Sequence, residues 1–316
     1  MSPPDPELTA RFAGDLAALW AGKGKLGLAV SGGPDSLALL LLAQAALPGR
    51  VEAATVDHGL RPESAEEAAM VAAVCARLGV PHQTLAVEVA QGNIQSQART
   101  ARYAALAGWM AEQGIEALAT AHHADDQAET LLLRLNRGSG VAGLSGVRAR
   151  GLVAGTRLPL VRPLLGWRRS ELGQVVAAAG IEPVMDPSNE NDRFDRVRIR
   201  KALGGADWLD IPALAQSAAN LADADAALEW AMAREWDEAV SKGPMGYTYR
   251  PRAPRAIALR VLVRLVTELD GEAPRGSAVA RLFDSLVARQ PASIGGLVAR
   301  AMPDGWSFTK APKRRA

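Results

Sequence analysis

Cysteine is almost absent. The one thiol in 316 residues, Cys75, excludes an internal disulfide framework, a zinc site built on cysteines and an iron–sulfur cluster held by this chain's own cysteines. It occupies an apolar position in a helical pattern and reads as a core thiol. Aromatic residues are scarce at 4%, against an apolar share of 48%; with abundant alanine, that balance favours helices. An excess of one charge is also lacking. The 36 Lys and Arg face 34 Asp and Glu, a net charge of +2, so a nucleic-acid partner has to announce itself through local charge rather than the total. No apolar run is long enough to span a bilayer, and the opening MSPPDPELTARF lacks a basic segment followed by an apolar core. The expectation is a cytoplasmic protein with no membrane partner, long enough for one large or two ordinary domains.

What is present centres on Leu26 to Ala45, LGLAVSGGPDSLALLLLAQA. A short apolar strand over Leu26–Val30 runs into a tight loop, Ser31 to Asp35, and then a helix from Ser36. That helix is apolar on nearly every face and should be buried on all sides. A glycine-rich loop between a strand and a helix N-terminus gathers free backbone N–H groups at the positive end of the helix dipole, an anion site. Gly32 and Gly33 remove side chains that would hold a phosphate off the backbone. Asp35 is the anomaly, because a carboxylate repels a phosphate. Either it holds a divalent cation, which Mg²⁺ with its preference for a few carboxylates plus substrate phosphates would suit, or it turns away to cap the helix. No Gly-Lys-Ser/Thr follows, so this is not a Walker A loop.

Strands and helices alternate along the first two thirds. An amphipathic helix spans about 7–21. Strands are predicted at 51–56, 83–89 and 117–121, with helices at 64–78, 95–113, 125–136 and 168–179; Ser64 and Glu67 form a capping box. Such alternation means a mainly parallel sheet with helices on both faces, and ligands in such sheets lie beyond the carboxyl ends of the strands. Three of those ends carry polar clusters: SGGPDS, Asp57-His58-Gly59, and His122-His123-Ala124-Asp125-Asp126. Asp57 and His58 fit a turn and cap or a nucleotide contact equally well. Arg99 and Arg102 share a helix face, either as a solvated basic face or aimed at phosphate or RNA. Asp126 and Glu129 also share a face and could bind a metal or a cationic amine. Of the adjacent histidines, which leave a strand in opposite directions, one is structural and the other is free to meet a phosphate.

Gly138-Ser139-Gly140-Val141-Ala142-Gly143 matches G-x-G-x-x-G literally but follows a helix, so a dinucleotide-binding reading is rejected in favour of a loop or lid near the site. Arginine is dense from Arg148 to Lys201, with acids clustered only between Asp186 and Asp195; this local excess is the best electrostatic hint of nucleic acid. A short basic helix is expected over 196–203. Composition changes after Gly204-Gly205, and three further helices are expected at 211–240, 254–269 and 277–290, with a basic, disordered tail from Lys310. The predicted organisation is a catalytic domain over 1–205 and a smaller all-helical C-terminal domain over 206–316.

SGGPDS resembles the signature of the PP-loop ATP pyrophosphatases, whose adenine nucleotide alpha hydrolase-like fold is that same α/β arrangement. The wider set resembles the tRNA(Ile)-lysidine synthase family: VDHGLRPES from Val56, ARTARY from Ala98, the long match from Thr120 to Gly146, RPLL from Arg162, DPSN from Asp186 and RVRIR from Arg196. The resemblance implies adenylation, by ATP, of the carbonyl oxygen of a wobble cytidine in tRNA(Ile) with anticodon CAU. A lysine amine then displaces AMP and gives lysidine. It further implies ATP held by Ser31, Gly32, Gly33, Pro34, Asp35, Ser36, Asp57 and His58, with Mg²⁺ on Asp35. L-lysine would sit on Asp126 and Glu129, and Arg99, Arg102, His122, Arg196 and Arg200 would join Asp35 in catalysis. The C-terminal domain would bind tRNA. One departure is Val197, where the family often has asparagine. Competing readings are a tRNA thiolation enzyme of the same superfamily, disfavoured by the single cysteine, and a non-catalytic ATP- or RNA-binding module, disfavoured by the complete polar set at the strand ends.

Overall fold

The computed structural model describes residues 1–59, 64–88, 94–184, 193 and 195–311, the side chains of 94–96 excepted. The expected turn at Asp186–Asn189 and the Leu60–Glu63 part of the VDHGLRPES stretch lie outside these residues. So do residues 312–316 of the basic tail; Lys310 ends a strand.

Two compact units divide between Ala222 and Asp223. The first is built on a six-stranded sheet of order β3-β2-β1-β4-β6-β5. Its strands are β1 (Lys25–Ala29), β2 (Val51–Asp57), β3 (His82–Ala86), β4 (Ile115–Ala119), β5 (Arg150–Leu152) and β6 (Pro159–Val161). Five run parallel, and β5 pairs antiparallel with β6 at the edge. The last two are additions to the sequence reading. At three residues each they are too short to show a period.

Helix α1 (Pro6–Leu19), α2 (Pro34–Ala46), α3 (Ser64–Leu78) and α7 (Arg169–Ala178) contribute to one core; α4 (Ile94–Gln113) supplies Tyr103, Leu106, Trp109 and Met110 to another. The sheet is thus covered on both faces, as alternation of strand and helix requires. In α2, Leu37 to Ala43 are all buried, because α1 and α7 pack against the faces that the sheet leaves open. An all-round apolar helix is stable only when enclosed in this way. Helices α5 (Ala124–Asn136), α6 (Val141–Leu144) and α8 (Asp195–Gly204) complete the unit, together with the start of α9 (Ile211–Ala239).

The second unit corrects the expectation of an all-helical domain. The three helices are there, as α9, α10 (Arg255–Asp270) and α11 (Gly276–Val287). Beside α10 and α11 lies an antiparallel sheet of order β7-β8-β11-β10-β9, formed by β7 (Val240–Gly243), β8 (Gly246–Tyr249), β9 (Ala292–Ile294), β10 (Leu297–Met302) and β11 (Gly305–Lys310). Period-two burial drives it: Tyr247 and Tyr249, Leu297 and Ala299, and Trp306 and Phe308 all face the core. Gly295-Gly296 and Pro303-Asp304 supply the turns.

Leu40, fully buried in α2, offers a test of the enclosed helix. Leu40→Ala is expected to lower stability by about 2–5 kcal/mol in urea unfolding. A loss below about 1 kcal/mol would contradict enclosure.

Candidate active site

The carboxyl ends of β1 and β2, with α5 after β4, line a cavity of about 720 Å³, within the range of small-molecule sites. Its lining includes Ser31, Gly33, Pro34 and Asp35 from the glycine loop, His58 beyond β2, Arg102 on α4, Asp126 on α5, Arg169 on α7 and Arg200 on α8. Ala29, Val30, Ala54 and Val56 form an apolar wall.

The loop is shaped from within. Ser36 is buried; its hydroxyl donates to the Gly33 carbonyl (3.0 Å) and accepts from the Ser31 N–H (3.1 Å). Ser36 therefore fixes the turn, and neither it nor Gly32 lines the cavity. Gly32 sits at φ +86°, with Met70 and Val184 each 3.2 Å from where a Cβ would stand. A left-handed backbone in that space requires glycine. Gly33 precedes α2 with no side-chain cap, and Pro34 opens the helix, leaving N–H groups of the first turn open to an anion.

Asp35 carries the tension seen in the sequence. Its Oδ1 is buried and has no hydrogen-bond partner. Its Oδ2 lies 3.3 Å from His123 Nε2, an ion-pair distance without hydrogen-bond alignment. His123, wholly buried, is the N-cap of α5. Its Nδ1 accepts from the Asp126 N–H, and its own N–H donates to Asp126 Oδ2 at 3.1 Å. Burial pulls the His123 pKa down, but the Asp35 and Asp126 carboxylates outweigh it and the net shift is upward. His123 is thus the structural histidine. His122 bonds through Nδ1 to Thr120 Oγ1 at 3.0 Å. Burial, aided by Arg162, Arg102 and Arg196 and opposed by Asp126, pushes its pKa down to about 4, so it is neutral at pH 7.

The arginines divide into three groups. Arg102 faces the cavity, while Arg99 lies over the Tyr103 ring, 5.1 Å from its centroid. Arg200 donates from Nε (2.7 Å) and Nη2 (3.3 Å) to Glu129, only 1% exposed, which raises the Arg200 pKa. Arg196 is exposed and donates to Thr130 Oγ1. Asp126 and Glu129 therefore part company: Asp126 lines the cavity and Glu129 lies behind it on Arg200. Asp57 turns to the Ser64 hydroxyl (2.6 Å) and Gly59 N–H (2.8 Å), which hold its pKa down; His58 reaches the cavity.

A family described as ATP_bind_3, a PP-loop domain, matches residues 7–206. A tRNA(Ile)-lysidine synthase of Novosphingobium aromaticivorans is 49% identical over 311 residues, covering 97% of this chain and 95% of that protein. This chain belongs to the tRNA(Ile)-lysidine synthase family. The relative of the same name in Zymomonas mobilis is 43% identical over 298 residues, covering 92% of this chain and 90% of that one. The U34-tRNA thiolase NcsA of Methanococcus maripaludis, with its [4Fe-4S] cluster, matches at TM-score 0.54 and 15% identity over 68% of this chain and 76% of that one, a likeness of fold alone.

Within a tRNA(Ile)-lysidine synthase framework, two residues stand out that the sequence reading left unassigned. Arg169 is one; the twin arginine opening α7 after RPLLGW was the signal. Arg162, buried at the end of β6, is the other; its Nη1 donates to the Arg148 carbonyl at 2.6 Å. Val197, the departure noted in the sequence, is 5% exposed on α8, a core side chain with no amide to satisfy. The expected lid, Gly138 to Gly143, runs into the short helix α6, and beyond it Gln127 donates to the Val147 carbonyl (2.9 Å) and accepts from the Val147 N–H (2.6 Å). None of Gly138 to Gly146 lines the cavity among the described residues.

The His122 shift has a signed consequence. A histidine with an ordinary value near 6.5 and a folded value of about 4 contributes stability that is whole above pH 6.5 and lost as pH falls toward 4. His123, shifted upward, acts in the opposite sense and loses its contribution as pH rises. His122→Asn is therefore expected to flatten the loss of stability between pH 6.5 and 4 in urea titrations. An unchanged slope would reject the shift.

Proposed function

We propose that this chain ligates L-lysine to the wobble cytidine of tRNA(Ile) with anticodon CAU, consuming ATP and releasing AMP and pyrophosphate. The observation that carries the reading is one cavity holding a glycine-loop anion site, the carboxylates Asp35 and Asp126 and the guanidinium groups Arg102 and Arg200. The apolar wall suits a nucleoside, and the open N–H groups of α2 suit the phosphates. The cytidine oxygen attacks the α-phosphorus and pyrophosphate leaves. The lysine amine then attacks the activated ring carbon, AMP departs, and the amine's proton must be taken up nearby.

Asp35 is the residue fitted to Mg²⁺. Its buried, unpartnered Oδ1 is a hard oxygen donor. Among the described residues no cluster of three or more histidine, cysteine or carboxylate side chains could cage a metal. That matches Mg²⁺, which takes one or two carboxylates and completes its shell with phosphate oxygens and water. Bound there, the ion would offset the charge gathering on pyrophosphate. Asp126, in the cavity, would meet the cationic lysine, while Glu129, its charge met by Arg200 and Arg169, would act from behind by holding Arg200 in place. His122, Arg99 and Arg196 all lie outside the cavity lining; neutral His122 would reach the transferring group only from behind that lining, and Arg99 and Arg196 would meet RNA phosphate. The C-terminal region would hold tRNA.

Continuous AMP release is expected only when ATP, lysine and tRNA(Ile) are all supplied, whereas ATP and tRNA(Ile) alone should release pyrophosphate in step with adenylated tRNA; sustained AMP release without tRNA or without lysine would reject the reading. Asp35→Ala is expected to abolish AMP formation in protein that still unfolds cooperatively by circular dichroism, and surviving activity would remove the metal role. Asp126→Asn is expected to raise the KM for lysine well above any change in the KM for ATP. Equal changes would reassign it.

A further inference from the structure

Glu129 has two oxygens, and Arg200 takes both, at 2.7 and 3.3 Å. Arg169 comes within 3.6 Å of Oε1, beyond hydrogen-bond range. Its guanidinium therefore forms an ion pair with Glu129 without a hydrogen bond, and its donors make no hydrogen bond among the described residues. It lines the cavity and its side chain is 35% exposed.

The backbone beneath it is fixed. Asp125 Oδ2 accepts the Arg169 N–H at 2.8 Å. The same carboxylate takes the Arg168 guanidinium at 3.2 and 3.3 Å, and Arg168 holds its pKa below the usual range despite burial. Glu171 adds an acceptor for the Arg168 N–H at 2.7 Å and pairs with Arg11 of α1, also at 2.7 Å. The start of α7 is thereby clamped to the start of α5 on one side and to α1 on the other. A clamped backbone, a side chain aimed into the cavity and unspent planar donors are the attributes of a preorganised anion receptor.

We propose that Arg169 is a substrate-binding residue that takes a pair of anionic oxygens in the cavity, and that Asp125 is its positioning residue. Two parts of the substrates carry that chemistry: a phosphate of ATP and the carboxylate of the amino acid. The identity of these substrates rests on the functional reading above; the existence of the receptor rests on the geometry. Asp125 lies in the HHADD cluster but spends its oxygens on α7.

The test uses the full-length protein with Arg169→Gln and Arg169→Lys. Calorimetry measures ATP binding directly. Steady-state assays measure the KM for lysine and for cadaverine, which keeps both amines but lacks the carboxylate. Loss of a charge-assisted contact is expected to weaken one ligand about 10-fold or more. A drop in ATP affinity identifies the phosphate. A raised lysine KM with cadaverine unchanged identifies the carboxylate. Lysine substitution should restore only part of either, since it has charge without the fork, and Asp125→Asn should weaken the same ligand less. If ATP affinity and lysine KM both stay within about two-fold while the melting temperature falls, Arg169 is a structural partner of Glu129 and the proposal fails. If wild-type protein forms no AMP with tRNA and lysine, the functional reading fails instead, and the calorimetric arm still reports on Arg169.

Discussion

One buried imidazole joins the two halves of the site. His123 caps α5, stands 3.3 Å from Asp35 at the start of α2, and lies 3.6 Å from Asp126. Two helix N-termini, each with its own carboxylate, are thereby held at fixed separation around a group that burial would make neutral and the acids make more basic. The anion loop and the acidic cluster belong to different strand ends, and this link brings them to one cavity. Loop shape, carboxylate placement and local stability are coupled through His123.

The arginine-rich stretch has a divided purpose. Arg168 is spent on Asp125, Arg198 and Arg137 on Asp195, and Arg200 on Glu129. Arg168–Asp125 docks α7 onto α5, and Arg137–Asp195 and Arg200–Glu129 dock α8 there, while Arg198–Asp195 lies within α8. Arg169 alone of the twin at the start of α7 reaches the cavity lining. Local positive excess in the sequence therefore marks both an internal scaffold and the charge available to an anionic substrate, and only the pairing pattern separates the two.

Much of the first unit was legible in the sequence. A strand, a glycine loop and an all-round apolar helix permit little besides a buried α2 behind an anion loop, and strict alternation fixes a parallel sheet. The polar strand ends located the cavity. The division of labour within each cluster was not legible. Asp126 and Glu129 share a helix face, yet one meets the cavity and the other a guanidinium from residue 200, a partner that no local pattern announces. Asp57, His58, Arg99 and Arg102 divide in the same manner. In the C-terminal unit the helices declared themselves by length. The strands did not, because runs of three to six residues, only two of which carry aromatics, look like loops until paired. Tyr247/Tyr249 and Trp306/Phe308 held the period-two signal.

The central claim is that one cavity carries out two successive transfers, first AMP to the nucleoside oxygen and then amine to the activated carbon. A pulse–chase with ATP labelled at the α-phosphorus tests it most directly. Without lysine, label is expected to appear on tRNA(Ile), and adding unlabelled lysine should release it as AMP while lysidine forms. No labelled tRNA in the absence of lysine, with lysidine still forming when lysine is present, would contradict the account.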